Sequence, residues 1–458
     1  MTRRYVELLA PAGTIRNMRY AYAFGADAVY AGQPRYSLRV RNNDFLLENL
    51  KTGIDEAHAQ GKKFYVASNL LPHNNKVKTY LRDMQAIIEM RPDALIMADP
   101  GLIMMVREKW PEMPIHLSVQ ANTMNWAAVK FWQSVGISRI ILSRELSLDE
   151  VEEIRQQCPD MELEVFVHGA LCIAYSGRCL LSGYFNHRDA NQGTCTNTCR
   201  WKYDMTGAEE NATGDIIPIT DLNALRAEPF SDCGNLERHP LADNVYLLAE
   251  ENRPNELLPV FEDEHGTYIM NSKDLRAVEH VERLVKIGVD SLKIEGRTKS
   301  HYYVARTAQV YRQAIDDAVA GRPFDVSLLG KLDALANRGY TDGFYQRHHT
   351  AEHQNYLHGS SQLFSQRFVG EVTGYDATNQ LAEIDVKNKF GVGDSVELVA
   401  PSGNRTFTVE RLWDARSGDE VAEAPGSGHR VRIKVPVDPT EYGLLARNLH
   451  AESSAAAN

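Results

Sequence analysis

Eight times between residues 6 and 294, a short apolar run ends in a polar residue or glycine and gives way to a stretch of helical periodicity. The runs are Val6 to Ala10, Ala28 to Ala31, Phe64 to Ala67, Ala94 to Ala98, Ile115 to Val119, Ile140 to Ser143, Leu163 to Val167 and Ser291 to Ile294. Strands that alternate with helices favour a parallel sheet, because each connection must return over a sheet face. Eight units suffice to close a (β/α)8 barrel, so the expected fold is α/β, with a TIM-like barrel over residues 1–325. An open doubly wound sheet is the rival. Pro11-Ala12-Gly13-Thr14 follows the first run where a dinucleotide-binding sheet would carry G-x-G-x-x-G, which weakens that version of the rival.

The 458 residues are 43% hydrophobic, enough for a large core and far from a disordered composition. The richest apolar stretch is cut at Asp99, well short of the roughly 18 residues of a membrane span. Met1 to Glu7 lacks the apolar segment of a secretory signal. A cytoplasmic protein with no membrane partner is expected. The net charge of -11 argues against indiscriminate nucleic-acid binding by the whole surface. It leaves room for a local basic patch such as Arg35, Arg39 and Arg41.

Between the seventh and eighth runs the spacing predicts an insertion at about 170–288, far beyond the usual connection of about two to six residues. After the eighth run, residues 300 to 320 read as a helix, and 326–366 as an irregular linker rich in histidine. Short alternating runs from Phe368 onward predict a small antiparallel β-barrel over 367–450, with a frayed tail at 451–458.

In such a barrel the βα loops converge at the C-terminal ends of the strands, where chemistry gathers. The polar residues so placed are Gln33, Asn69, Asp99, Gln120 with Asn122, Arg144, His168, and Glu295 with Arg297. Each could equally cap a helix or satisfy a loop.

Four of the six cysteines cluster as Cys172-x6-Cys179-x15-Cys195-x3-Cys199, while Cys158 and Cys233 stand apart. In a large cytoplasmic chain, clustered thiols read as metal ligands before disulfides. Only the second pair has zinc-knuckle spacing. An iron-sulfur cluster tolerates irregular spacing, and Gly169, Gly177 and Gly193 would let backbone approach the sulfurs. Cluster, zinc and unligated core cysteines all stay open on spacing alone.

The segment Glu164-x-Phe166-x2-Gly169-Ala170-Leu171-Cys172-x4-Gly177-x-Cys179-x-Leu181-Ser182 resembles the signature of the collagenase-like U-32 peptidase family. Glu7 to Gly13, Gly25 to Tyr30, Ser118 to Gln120 and Ser291 to Arg297 are similar to it too. Ala31 to Asn43 and Asp263 to Asp274 are most similar to a branch whose members modify tRNA. The resemblance implies an oxygen-independent hydroxylase that makes 5-hydroxyuridine at the wobble position, with a 4Fe-4S iron-sulfur cluster and prephenate as co-substrate. It implies Cys172, Cys179, Cys195 and Cys199 as cluster ligands, with Cys233 as an alternative to Cys199. A ferredoxin-type protein is a candidate electron donor.

Given that implication, the two carboxylates of prephenate call for arginine forks, and Arg144 and Arg297 are the candidates. His168, Glu295 and Gln120 are the candidate catalytic groups. An anticodon loop offers splayed bases for aromatics and arginines. Arg35, Tyr36, Arg39 and Arg41 combine both types, as does Arg200 to Tyr203. Two other classes remain. A peptidase would have to pair Cys172 with His168, since G-x-S-x-G and H-E-x-x-H are both absent. The other is a non-enzymatic, cluster-bearing RNA-binding module.

Overall fold

In the computed structural model the described residues are 5–38, 44–171, 174–175, 178, 203–210, 216–218, 245–250, 253–260, 273–335, 337, 339–346, 366–439 and 441–449. The eight apolar runs form eight parallel strands: β1 (Glu7–Pro11), β2 (Ala28–Gly32), β3 (Lys63–Ser68), β4 (Ala94–Met97), β5 (Ile115–Leu117), β6 (Arg139–Ile141), β7 (Glu162–Ala170) and, beyond the insertion, Ser291–Ile294. The last strand pairs with β1 through Glu7 and Ser291 and with β7 through Glu164 and Ser291, so the ring closes. A closed TIM-like barrel is therefore present, and the open sheet is excluded.

Six helices alternate with the first seven strands: α1 (Ile15–Ala23), α2 (Leu47–Ala59), α3 (Asn74–Glu89), α4 (Pro100–Lys109), α5 (Trp126–Ser134) and α6 (Leu148–Gln157). Side-chain caps set several of their starts. Thr14 accepts from the Asn17 amide, Asp99 from Leu102, Asn125 from Ala128, and Ser147 forms a capping box with Glu150. Asp99 thus takes the capping role that its position allowed.

Within the insertion, four described strands, β8 (Tyr203–Glu210), β9 (Ile216–Pro218), β10 (Val245–Glu250) and β11 (Arg253–Val260), form a separate antiparallel sheet. The chain returns through β12 (Asp274–Arg276), antiparallel to the outer end of β7, and α7 (Val281–Ile287). Gly288, at φ 100°, ends that helix and turns the chain into β13 (Ser291–Ile294), the closing strand.

Helix α8 (His301–Val319) is buried on two sides. Tyr303 and Tyr311 face the barrel, and Arg306, 1% exposed, donates to Glu397 and Gln366 of the C-terminal domain. Residues 326–346, read from sequence as linker, are largely barrel. Helix α9 (Ser327–Asp333) buries Leu328 and Leu332, and β14 (Tyr340–Thr341) adds to β12. Tyr345 Oη donates to the Phe166 carbonyl at 2.6 Å. Short, weakly periodic elements of this kind leave little trace in a sequence.

Residues 366–448 form a seven-stranded antiparallel sheet curled into a half-barrel around Val369, Ile384, Val396, Leu412 and Ile433. Strand Leu444–Asn448, which the sequence reading lacked, pairs centrally between Gln366–Asp376 and Ser395–Val399.

The barrel interior departs from the branched apolar layers usual in this fold. Glu7, Arg139, Glu164 and Lys293 are each no more than 3% exposed. Arg139 bridges Glu7 and Glu164, Lys293 Nζ donates to Glu164 at 2.7 Å, and Tyr65 and Ser291 donate to Glu7 at 2.7 and 3.1 Å. Two buried acids and two buried bases compensate one another, as burial in a medium of low polarity requires. Burial opposes ionisation of Glu7, yet Arg139 holds its carboxyl below the usual range.

Candidate functional site

The C-terminal ends of the strands bring together most of the polar residues read from the sequence. Arg297 follows β13 by three residues and crosses the mouth to the loop after β2. Its Nη1 donates to Ser37 Oγ at 2.8 Å and its Nη2 to the Leu38 carbonyl at 2.6 Å. That route passes over Gly32. A Cβ there would lie 2.3 Å from Arg297 Nη1 and 2.5 Å from Ser37 Oγ, so the close approach needs glycine.

Arg144 follows β6 and is half-buried. Its guanidinium carbon stacks 3.8 Å from the Phe166 ring centre, and its Nη1 donates to the Ala170 carbonyl at 2.7 Å. Ala170 is the last residue of β7, two before Cys172, so Arg144 grips the root of the cysteine-bearing segment. Its Nε is buried and finds no acceptor among the described residues.

On the other side of the mouth, Gln120 sits on a single turn of 3-10 helix after β5. It is buried, accepts from Ser118 Oγ at 3.4 Å, and its Nε2 has no described partner. Asn69 joins this group to the first loop, donating to Ser118 Oγ at 3.5 Å and accepting from the Leu38 amide at 3.3 Å. A buried donor without an acceptor is costly in a native site and marks a place where a ligand oxygen would be welcome. Gln33 instead donates to Ser68 Oγ at 3.1 Å within the wall.

Glu295 meets the mouth beside Gly169, whose missing Cβ, at φ 108°, would clash with the Glu295 carbonyl at 2.6 Å. Burial and the Glu295 charge together hold the Tyr30 and Tyr303 phenols protonated. Arg35 is exposed and pairs with Asp83 of α3, its guanidinium 5.5 Å from the Tyr36 ring.

His168 is elsewhere. Its ring lies among Tyr303, Tyr311 and Tyr340, at centroid distances of 5.8, 5.5 and 5.5 Å, on the side of β7 that faces α8. Tyr311 Oη is 3.3 Å from its Nδ1. Burial, with smaller effects of Lys299 and Arg276, lowers its pKa to about 3. Sequence position alone placed it at a strand end and so at the mouth. The register of β7, shifted where it meets Lys293 and Ile294 of β13, accompanies a ring that packs outward.

Arg39, Arg41, Cys172, Cys179, Cys195, Cys199 and Cys233, with Arg200 to Lys202, lie outside the described residues, and nothing of Tyr203 beyond its backbone is described. Cys158 is buried in the core and contacts the Trp126 carbonyl at 3.6 Å. Among the described residues no helix is long and apolar enough to cross a membrane. The sequence reading gave no role at the mouth to Tyr30, Gly32, Phe166 or Lys293. A charged residue inside the apolar run Ser291 to Ile294 was the available signal for the last of these.

The class defined by this geometry is a (β/α)8 barrel with polar groups at its strand ends, a long insertion rooted there, and an antiparallel C-terminal domain. The chain belongs to peptidase family U32, whose model matches residues 13–355, while the model of the U32 C-terminal domain matches 365–447. The chain is 61% identical over 453 residues to the tRNA hydroxylation protein P of Escherichia coli (strain K12), covering 98% of each. It is 60% identical over 444 residues to tRNA hydroxylation protein P of Haemophilus influenzae, covering 97% of this chain and 96% of that one. Identity to tRNA hydroxylation protein P1 of Bacillus subtilis is 34% over 435 residues, or 94% of this chain and 92% of that one.

Proposed function

We propose that this chain hydroxylates the wobble uridine of tRNA to 5-hydroxyuridine, with prephenate as co-substrate. The observation that carries the reading is near full-length identity of about three residues in five to two proteins named for tRNA hydroxylation. Cys172, Cys179, Cys195 and Cys199 would hold a 4Fe-4S cluster, which would supply electron transfer. Arg144 Nε, Gln120 Nε2 and the Arg297 guanidinium are the mouth donors suited to a ligand's carboxylates. Arg35, Arg39 and Arg41, on the loop that Arg297 holds, would take the anticodon loop. Glu295 would orient the base or accept a proton.

The peptidase reading requires His168 as a base for Cys172. A ring enclosed by three tyrosines and neutral down to about pH 3 is a poor partner for that task.

Nucleoside mass spectrometry on tRNA from a deletion strain, with and without this chain restored, tests the proposal. Loss of 5-hydroxyuridine and its derivatives on deletion, and recovery on restoration, is expected. Unchanged nucleosides on deletion would leave the RNA-binding module as the better reading, and peptide hydrolysis by the purified chain would favour the peptidase.

A further inference from the structure

Lys293 stands at the meeting point of the buried ion layer and the mouth. Its Nζ donates to Glu164, lies 4.4 Å from the Tyr30 ring centre and 5.5 Å from that of Phe166. Each ring also carries a mouth arginine, Arg297 at 5.7 Å from Tyr30 and Arg144 at 3.8 Å from Phe166. Those arginines in turn hold the Leu38 and Ala170 carbonyls. From one ammonium group, two lines of contact therefore lead to the roots of two different loops.

We propose that Lys293 is a positioning residue that couples the loop after β2 to the root of the cysteine-bearing insertion, acting through Tyr30 with Arg297 and Phe166 with Arg144. A buried ion pair is a poor device for stability alone, since apolar residues of similar size often serve as well or better. It is a good device for orientation. The ammonium orients both rings, and each ring face then offers its guanidinium one preferred stacking position. A shift of Lys293 would move both arginines together. The inference rests on the proposed function only for what the two loops carry.

The test uses the full chain with Lys293→Met and with the double variant Glu164→Gln, Lys293→Met, which removes both charges and leaves no uncompensated carboxylate. Hydrogen exchange is followed at residues 33–38, at 168–171, and at β3 to β5 as a reference. In the double variant, exchange should rise about tenfold in both loop-root segments and stay unchanged in the reference strands. In cells, 5-hydroxyuridine should fall in step. Unchanged exchange in either loop-root segment overturns the coupling, and a uniform rise across the barrel assigns the pair to general stability instead. If the wild-type chain restored no 5-hydroxyuridine, the functional reading would fail while the exchange data still decided the coupling.

Discussion

Arg297→Ala should lower the 5-hydroxyuridine of tRNA in a complemented deletion strain by at least about a hundredfold, with the fold retained. The side chain spends two charge-assisted hydrogen bonds on the loop after β2, to Ser37 Oγ and the Leu38 carbonyl. Such bonds contribute roughly 1.5 to 3 kcal/mol each, so the loss of both from an organised site reaches two orders of magnitude in rate. The same two bonds also hold the folded loop, so Tm should fall by several degrees, about the effect of 3 kcal/mol, with the cooperative transition retained. Arg297→Lys keeps the charge but loses the fork, and should recover part of the activity. Normal hydroxyuridine in the alanine variant, at wild-type protein level, would remove Arg297 from the site.

The same contacts tie an arginine of the mouth to the loop after β2. The guanidinium fork reaches the Ser37 hydroxyl and the Leu38 carbonyl at once. Gly32 supplies the space, because any side chain there would lie against Nη1. The mouth is thus pre-organised by groups of different strands that share neighbours: Arg297 from β13, Ser37 from the loop after β2, and Asn69 from the loop after β3.

The barrel was legible because parallel strands buried on both faces read as apolar runs, and all eight runs fall on strands of the ring. The insertion after the seventh strand was legible from length alone. The polar layer was not. Glu7, Glu164 and Lys293 each interrupt an apolar run, and in one dimension such a residue looks like the exposed side of an alternating strand. Their compensation is visible only once β1, β6, β7 and β13 close around one another. The mouth shows the same limit. Arg144, Gln120, Glu295 and Arg297 were placed at strand ends, but partners such as Phe166 and Ala170 of β7 and Ser37 of the loop after β2 come from elements whose approach no spacing encodes. Asp99 followed the local capping rule, and His168 followed the register of its strand.

That register makes His168 the source of a second large effect, on stability against acid. Unfolded, an imidazole titrates near 6.5, whereas burial among Tyr303, Tyr311 and Tyr340 holds the folded value at about 3. Between these values the unfolded chain binds a proton that the native chain refuses. Stability is therefore complete above pH 6.5 and falls by about 1.4 kcal/mol per pH unit as the solution is acidified. Burial, with the charges of Arg139 and Lys293, also holds His116 well below its usual value, which acts in the same direction. By pH 4.5 His168 alone removes roughly 3 kcal/mol, a large share of the whole stability of many domains. His168→Phe keeps an aromatic ring among the tyrosines and deletes one titration. Urea midpoints of the full chain between pH 7 and 4.5 should then fall less steeply, by about 1.4 kcal/mol per pH unit. Modification of tRNA at neutral pH should persist, since the ring faces α8 and not the mouth. An unchanged acid slope would show that the histidine titrates normally. Loss of hydroxylation in a stable His168→Phe protein would return this residue to the chemistry.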